Sequence, residues 1–142
     1  MSVNERAFID SNIFIYLYSA TEIKKQKIAM NCVDNYDCVI STQVLNEFCN
    51  VCVKKFNINA KELNASIKEI IEGSILLFID IEDVSNAISL HEKLGYGYWD
   101  CLMLVSALKS ECKYIFTEDL QDGQLIENRL IIKNIFQSTT SP

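Results

Sequence analysis

The sequence predicts a single α/β domain whose parallel sheet is covered by helices on both faces, and three observations lead there. Short apolar runs alternate with longer segments of helical periodicity along the whole chain. Only one proline and four glycines interrupt its 142 residues, so loops are short. Strands separated by helices pair in parallel, because each crossover must return over a face of the sheet.

Taken in order, Ala7-Phe8-Ile9 is a first strand, ending at the cap-like trio Asp10-Ser11-Asn12 before a helix over Ile13–Tyr18. A second helix is expected from Glu22 to about Val33, with Ile23, Ile28 and Met30 on its apolar side. Cys38-Val39-Ile40 is the next strand. Ser41 and Thr42 can cap the helix after it, in which Val44, Leu45, Phe48, Val51, Cys52 and Phe56 share a face. A helix follows over Ala60–Glu72, with Gly73 just past its end. Ile75–Ile79 is a strand, and Val84–Leu94 a helix stopped at Gly95. Trp99–Leu108 is almost wholly apolar and predicts a helix buried on most sides. Tyr114–Phe116 and Leu130–Ile132 are the last strands. The domain is expected to span residues 1–136, followed by a polar tail over 137–142.

Composition narrows the function. No apolar run approaches the roughly 18 residues of a membrane span. The start Met1-Ser2-Val3-Asn4-Glu5-Arg6 lacks the pattern of a signal peptide. A soluble, cytoplasmic protein is expected. Six cysteines at 32, 38, 49, 52, 101 and 112 lie among apolar residues, as small buried thiols do in a reducing compartment. Cys49 and Cys52 form a C-x-x-C, but no second pair or histidine pair completes a zinc site. The net charge of −6 counts against a protein that grips nucleic acid by charge alone. It is compatible with acids gathered around a cation.

Four acids stand where such a gathering is expected. Ligands of open parallel sheets bind beyond the carboxyl ends of the strands. Asp10 follows the first strand, and Asp119 comes three residues after Phe116. Glu47 lies early in the helix after Cys38–Ile40, and Asp100 opens the apolar helix Cys101–Leu108. Hard cations such as Mg2+ or Mn2+ take oxygen ligands, and a carboxylate cluster can hold them against a phosphodiester. Each acid also has a structural reading. Asp10 and Asp100 are good helix caps, Glu47 could favour a helix N-terminus but lies beyond the first turn if Thr42 caps, and Asp119 sits with Asp122-Gly123 in turn-forming sequence.

The segments Ala7-Phe8-Ile9-Asp10-Ser11-Asn12, Ser41-Thr42-Gln43-Val44-Leu45-Asn46-Glu47-Phe48, Tyr98-Trp99-Asp100-Cys101 and Ile115-Phe116-Thr117-Glu118-Asp119-Leu120 resemble the PIN-domain family of metal-dependent ribonucleases. Their order and gaps are similar to the toxins of VapBC-type toxin–antitoxin pairs. The resemblance implies a sheet of about five strands and a Mg2+- or Mn2+-dependent endoribonuclease acting on RNA. It implies Asp10, Glu47, Asp100 and Asp119 as catalytic metal ligands, with Thr117 and Asn12 supporting and Asp122 contributing from outside. Glu118 is expected to point elsewhere, on the surface. A homodimer and a small antitoxin partner are also implied, and the helices Ile13–Tyr18 and Ala60–Ile71 are candidates for the antitoxin groove.

Other signals are bland. His91 is the sole histidine and reads as a boundary residue. Lys24, Lys25 and Lys27 read as a solvated helix face rather than phosphate contacts, and Trp99 as core rather than a base-stacking platform. No phosphate loop, dinucleotide fingerprint or serine-hydrolase elbow is present. The alternatives to a nuclease are a non-catalytic binding module on the same fold, or a receiver-type phosphoryl-transfer domain. Four retained acids count against the first. A first strand ending Asp-Ser-Asn, without paired acids, counts against the second.

Overall fold

A computed structural model describes residues 4–137. Residues 138–142 of the expected tail, and the first three residues, lie outside it. The chain runs β1 (Arg6–Ile9), α1 (Ser11–Leu17), α2 (Ile23–Asn35), β2 (Asp37–Ser41), α3 (Thr42–Phe56) and α4 (Ala60–Glu72). It continues β3 (Ile75–Leu77), α5 (Ile81–Leu94), α6 (Tyr98–Lys109), β4 (Tyr114–Phe116), β5 (Leu125–Ile126) and β6 (Leu130–Lys133).

The sheet has six strands in the order β3-β2-β1-β4-β6-β5, parallel except for β5, which runs antiparallel to β6. The chain steps outward from β1 to β2 to β3 through α1–α4, then crosses back through α5 and α6 to pair β4 with β1. Right-handed crossovers in opposite directions put these two helix groups on opposite faces. Accordingly α1 packs on α2 and α3, and α5 on α6. Fully buried Phe8, Ile9, Val39, Ile40, Ile115 and Phe116 fill both sides of the central strands, which explains why those strands read as continuous apolar runs.

Several expectations change in detail. β5 was not expected; it forms a hairpin with β6 across Glu127 and Asn128, both at positive φ (51° and 59°). β3 ends at Leu77, two residues early. α2 buries Ala29 and Cys32, whereas Ile23, Ile28 and Met30 are exposed, so its inward face is built from small residues. α5 starts at Ile81, because Asp80 and Asp83 form a reciprocal capping box that adds a turn before Val84. Ser41 occupies the N-cap of α3 without a side-chain cap bond, and the Thr42 hydroxyl accepts from the Ile79 backbone instead. From Cys101 to Ala107 every residue of α6 is buried, as expected of that helix.

Candidate active site

The register of the sheet builds the site. β1 and β4 pair in parallel with Ile9 opposite Phe116, so the next residues, Asp10 and Thr117, emerge side by side. This is the point where the chain's strand order reverses, the usual ligand crevice of an open α/β sheet. Both side chains are buried. The Thr117 hydroxyl donates to Asp10 Oδ2 at 2.7 Å, and the Ser11 backbone N–H donates to Oδ1 at 2.6 Å. Asp10 is therefore both the N-cap of α1 and a buried acid held on both oxygens. The same Thr117 oxygen accepts from the Asp119 backbone N–H at 3.1 Å, fixing the turn that carries Asp119.

The other acids arrive from helices. Glu47 lies in the second turn of α3, half-buried, and accepts from Gln43 Nε2 at 3.4 Å. Gln43 Nε2 also donates to the Trp99 carbonyl at 2.9 Å, joining α3 to the start of α6. Asp100 is the third residue of α6, not its cap; Gly97 holds the cap position with no side-chain bond. Capping therefore does not explain Asp100. Asp119 is exposed at the rim.

Electrostatics join the four. Burial holds the Asp10 carboxyl above its ordinary value, the Asp119 charge adds to this, and the bonds from Thr117 and Ser11 oppose it. Glu47 is raised by burial, then by Asp10, Asp100 and Asp119, against the Gln43 bond. Asp100 is raised by burial and by Asp119. Among the described residues, the lysine ion pairs engage Glu5, Asp80, Asp83, Glu118 and Glu127, and none engages these four acids. An all-oxygen donor set without a compensating cation fits a hard divalent ion. Among the described residues no three His, Cys, Asp or Glu side chains converge into a formed coordination shell, so the acids are neighbours by field rather than by contact.

The remaining expected residues separate. Asn12 is half-buried at the start of α1. Asp122 accepts the Asn134 backbone N–H at 2.8 Å, tying the loop after β4 to the end of β6. Glu118, expected as a free surface residue, is half-buried. It accepts from Tyr16 Oη at 2.8 Å and pairs with Lys25 at 3.2 Å. Lys25 is therefore engaged, and its pKa is raised by the bonds to Tyr16 and Glu118. Trp99, expected in the core, is 64% exposed. All six cysteines are unpaired; Cys52 is buried and Cys49 half-buried, and burial raises both thiols. The residue missed from sequence is Gln43; a buried glutamine one helical turn before an acid was its signal. A cavity of about 620 Å3 lies away from the acids, between α5, α6 and the β5–β6 hairpin. A smaller one of about 230 Å3 lies between α1, α2 and α4.

An open α/β sheet with a buried acid at its switch point, electrostatically coupled to further acids, defines a class of acidic-site α/β domains. The PIN domain model matches residues 7–121, and the chain belongs to that family. No curated protein matches the sequence. Among solved structures, the chain is similar to a toxin–antitoxin complex from Klebsiella pneumoniae, at 16% identity over 93% of this chain and 99% of that one, TM-score 0.69. It is also similar to VapBC2 from Rickettsia felis bound to a promoter DNA fragment, at 17% identity over 91% and 98%, TM-score 0.64. A third is the sarcin–ricin loop cleaving toxin VapC20 of Mycobacterium tuberculosis, at 14% identity over 80% and 91%, TM-score 0.63. At these identities the likeness is one of fold.

Proposed function

We propose that this chain is a Mg2+- or Mn2+-dependent endoribonuclease, the toxin of a toxin–antitoxin pair. Its ion is held by Asp10, Glu47, Asp100 and Asp119. The observation that carries the reading is the group of four acids from four segments, three of them raised by burial and by neighbouring acids, with no lysine or arginine among the described residues paired to them. Such a group is costly without a cation and suited to one with it. When bound, the ion supplies Lewis-acid polarisation of the phosphodiester and a lowered pKa for the attacking water. Thr117 keeps Asp10 oriented and favours its ionised form. Asn12 supports the same edge, and Asp122 holds the loop that carries Asp119.

The partners follow from the same reading. RNA is the substrate, a small antitoxin the inhibitor, and the toxin a homodimer working in the cytoplasm. The solved structures similar in fold include toxin–antitoxin complexes. The smaller cavity, lined by Phe14, Leu17, Tyr18 and Ile70, supports the expected groove beside α1 and α4. Exposed Phe78 and Ile81 supply apolar surface for a second copy. No helix among the described residues is long and apolar enough to cross a membrane. The nuclease domain proposed here spans residues 1–136.

The test is to incubate the protein with single-stranded and structured RNA in Mg2+, in Mn2+ and in EDTA. Metal-dependent cleavage lost in Asp10→Asn and Asp100→Asn is the expected result. Equal cleavage in EDTA, or full activity in both variants, overturns the mechanism.

A further inference from the structure

Trp99, next in sequence to Asp100, is a large apolar side chain whose exposure no packing explains. It is the only tryptophan in the chain and 64% exposed, although α6 from Cys101 to Ala107 is buried throughout. It directly precedes Asp100. Its backbone is fixed, because the buried Gln43 donates to its carbonyl at 2.9 Å while reaching Glu47 with the same nitrogen. The indole meets the half-buried Tyr98 ring edge-on, with centroids 5.3 Å apart and planes at 71°. An aromatic face is thus left open to solvent on a rigid mount.

The chain's charge adds a second reason. With a net charge of −6, phosphate neutralisation cannot supply much of the affinity for a polyanion. An acidic protein that holds single-stranded nucleic acid needs contacts that do not depend on charge, and base–aromatic stacking is the main one. A base inside a duplex is already stacked on both faces, so such a platform accepts only an unpaired base.

We propose that Trp99 is a stacking platform for an unpaired nucleobase next to the phosphodiester held at the acidic site. The proposal rests on the nuclease reading and makes Trp99 a substrate-positioning residue that selects single-stranded RNA. Gln43 fixes its location relative to Asp100 and Glu47.

A sole tryptophan makes the test direct, since indole emission reports on this position alone. The Asp10→Asn variant, silenced for cleavage, is titrated in Mg2+ with a mixed-sequence single-stranded RNA decamer, with the same decamer as a duplex, and with an abasic ribose-phosphate chain of equal length. Quenching by the single strand, and far less by the duplex and abasic chains, is expected. In otherwise unaltered protein, Trp99→Leu raises the KM for the single strand by about 5- to 150-fold, the worth of one stacked base, with kcat little changed. Trp99→Phe restores most of the loss, and thermal melting confirms that both variants fold. Equal quenching by abasic and normal chains, no quenching at all, or an unchanged KM in Trp99→Leu overturns the proposal. Cleavage by the unaltered chain without any change in Trp99 emission rejects the platform and leaves the nuclease standing. Stacking in a chain that never cleaves rejects the nuclease and leaves a single-strand binding site.

Discussion

Thr117 donates its hydroxyl hydrogen to Oδ2 of Asp10 across 2.7 Å, joining the ends of two neighbouring parallel strands. Both residues are buried, so removing the donor leaves a carboxylate oxygen without solvent to replace it. Thr117→Val keeps the shape and loses the bond. It is expected to cost about 1–3 kcal/mol in urea unfolding, and to raise the Asp10 pKa further, because the Thr117 bond now lowers it. Divalent-metal affinity measured by calorimetry should fall with it, whereas Thr117→Ser should preserve both. Unchanged stability and metal binding in the valine variant would show that the bond does nothing.

The raised acids make a pH prediction whose sign is fixed. Asp10, Glu47 and Asp100 hold protons more tightly in the folded protein than in the unfolded chain. Their contribution to stability is therefore complete below the unfolded values of about 4 and is lost as pH rises through the raised folded values. In EDTA, this part of the stability should decline from about pH 4 upward, and Asp100→Asn should flatten the decline. On the proposed function Mg2+ would bind only the ionised, folded site, so the difference in Tm between Mg2+ and EDTA should widen from about pH 5 to about pH 8. A difference that is absent, or equal at both pH values, counts against a carboxylate-held ion.

The sheet was legible because Ala7–Ile9, Cys38–Ile40 and Tyr114–Phe116 are buried on both faces, which leaves a continuous apolar run in sequence. The places of Asp10 and Asp119 just after such runs were legible too, whereas Glu47 and Asp100 lie inside helices. Other features depended on tertiary contacts that no local pattern encodes. The inward face of α2 is Ala29 and Cys32, so its larger apolar residues point the wrong way for a periodicity reading. The start of α6 at Tyr98 follows an uncapped Gly97, with no polar side chain to mark it, so Asp100 was taken for a possible cap. Glu118 and Asp119 are adjacent in sequence, and only the fold sends them to different partners.

That separation is testable. Glu118 binds Tyr16 and Lys25, and Asp119 is turned to the rim by its bond to Thr117. Glu118→Gln is expected to leave metal-dependent cleavage unchanged and to lower stability by about 0.2–1 kcal/mol, the usual worth of a partly exposed pair. Asp119→Asn should lower cleavage and metal affinity while leaving the unfolding midpoint in EDTA equal or higher, because one repelling charge is gone. Parallel assays of the two variants decide the matter: loss of activity in Glu118→Gln alone would reverse the assignment.

The hairpin that the sequence concealed gives the last prediction. Glu127 and Asn128 both adopt left-handed backbone, and the Arg129 N–H closes the turn on the Ile126 carbonyl at 3.1 Å. A turn with two left-handed central residues favours Asn-Gly, because positive φ costs a side chain with a Cβ about 1–2 kcal/mol per residue, least for Asn and nothing for Gly. Glu127-Asn128 carries none of that signature, which is why a two-residue strand before it went unseen. Its one compensation is the Glu127–Lys93 pair at 2.9 Å, well exposed and worth little. Replacing the two residues together by Glu127→Asn and Asn128→Gly should therefore raise stability by about 1 kcal/mol despite the lost pair. The measurement is a higher urea midpoint with an unchanged m-value, since the surface exposed on unfolding stays the same. A lower midpoint would mean that the Lys93 contact, and not the backbone, sets the stability of this edge.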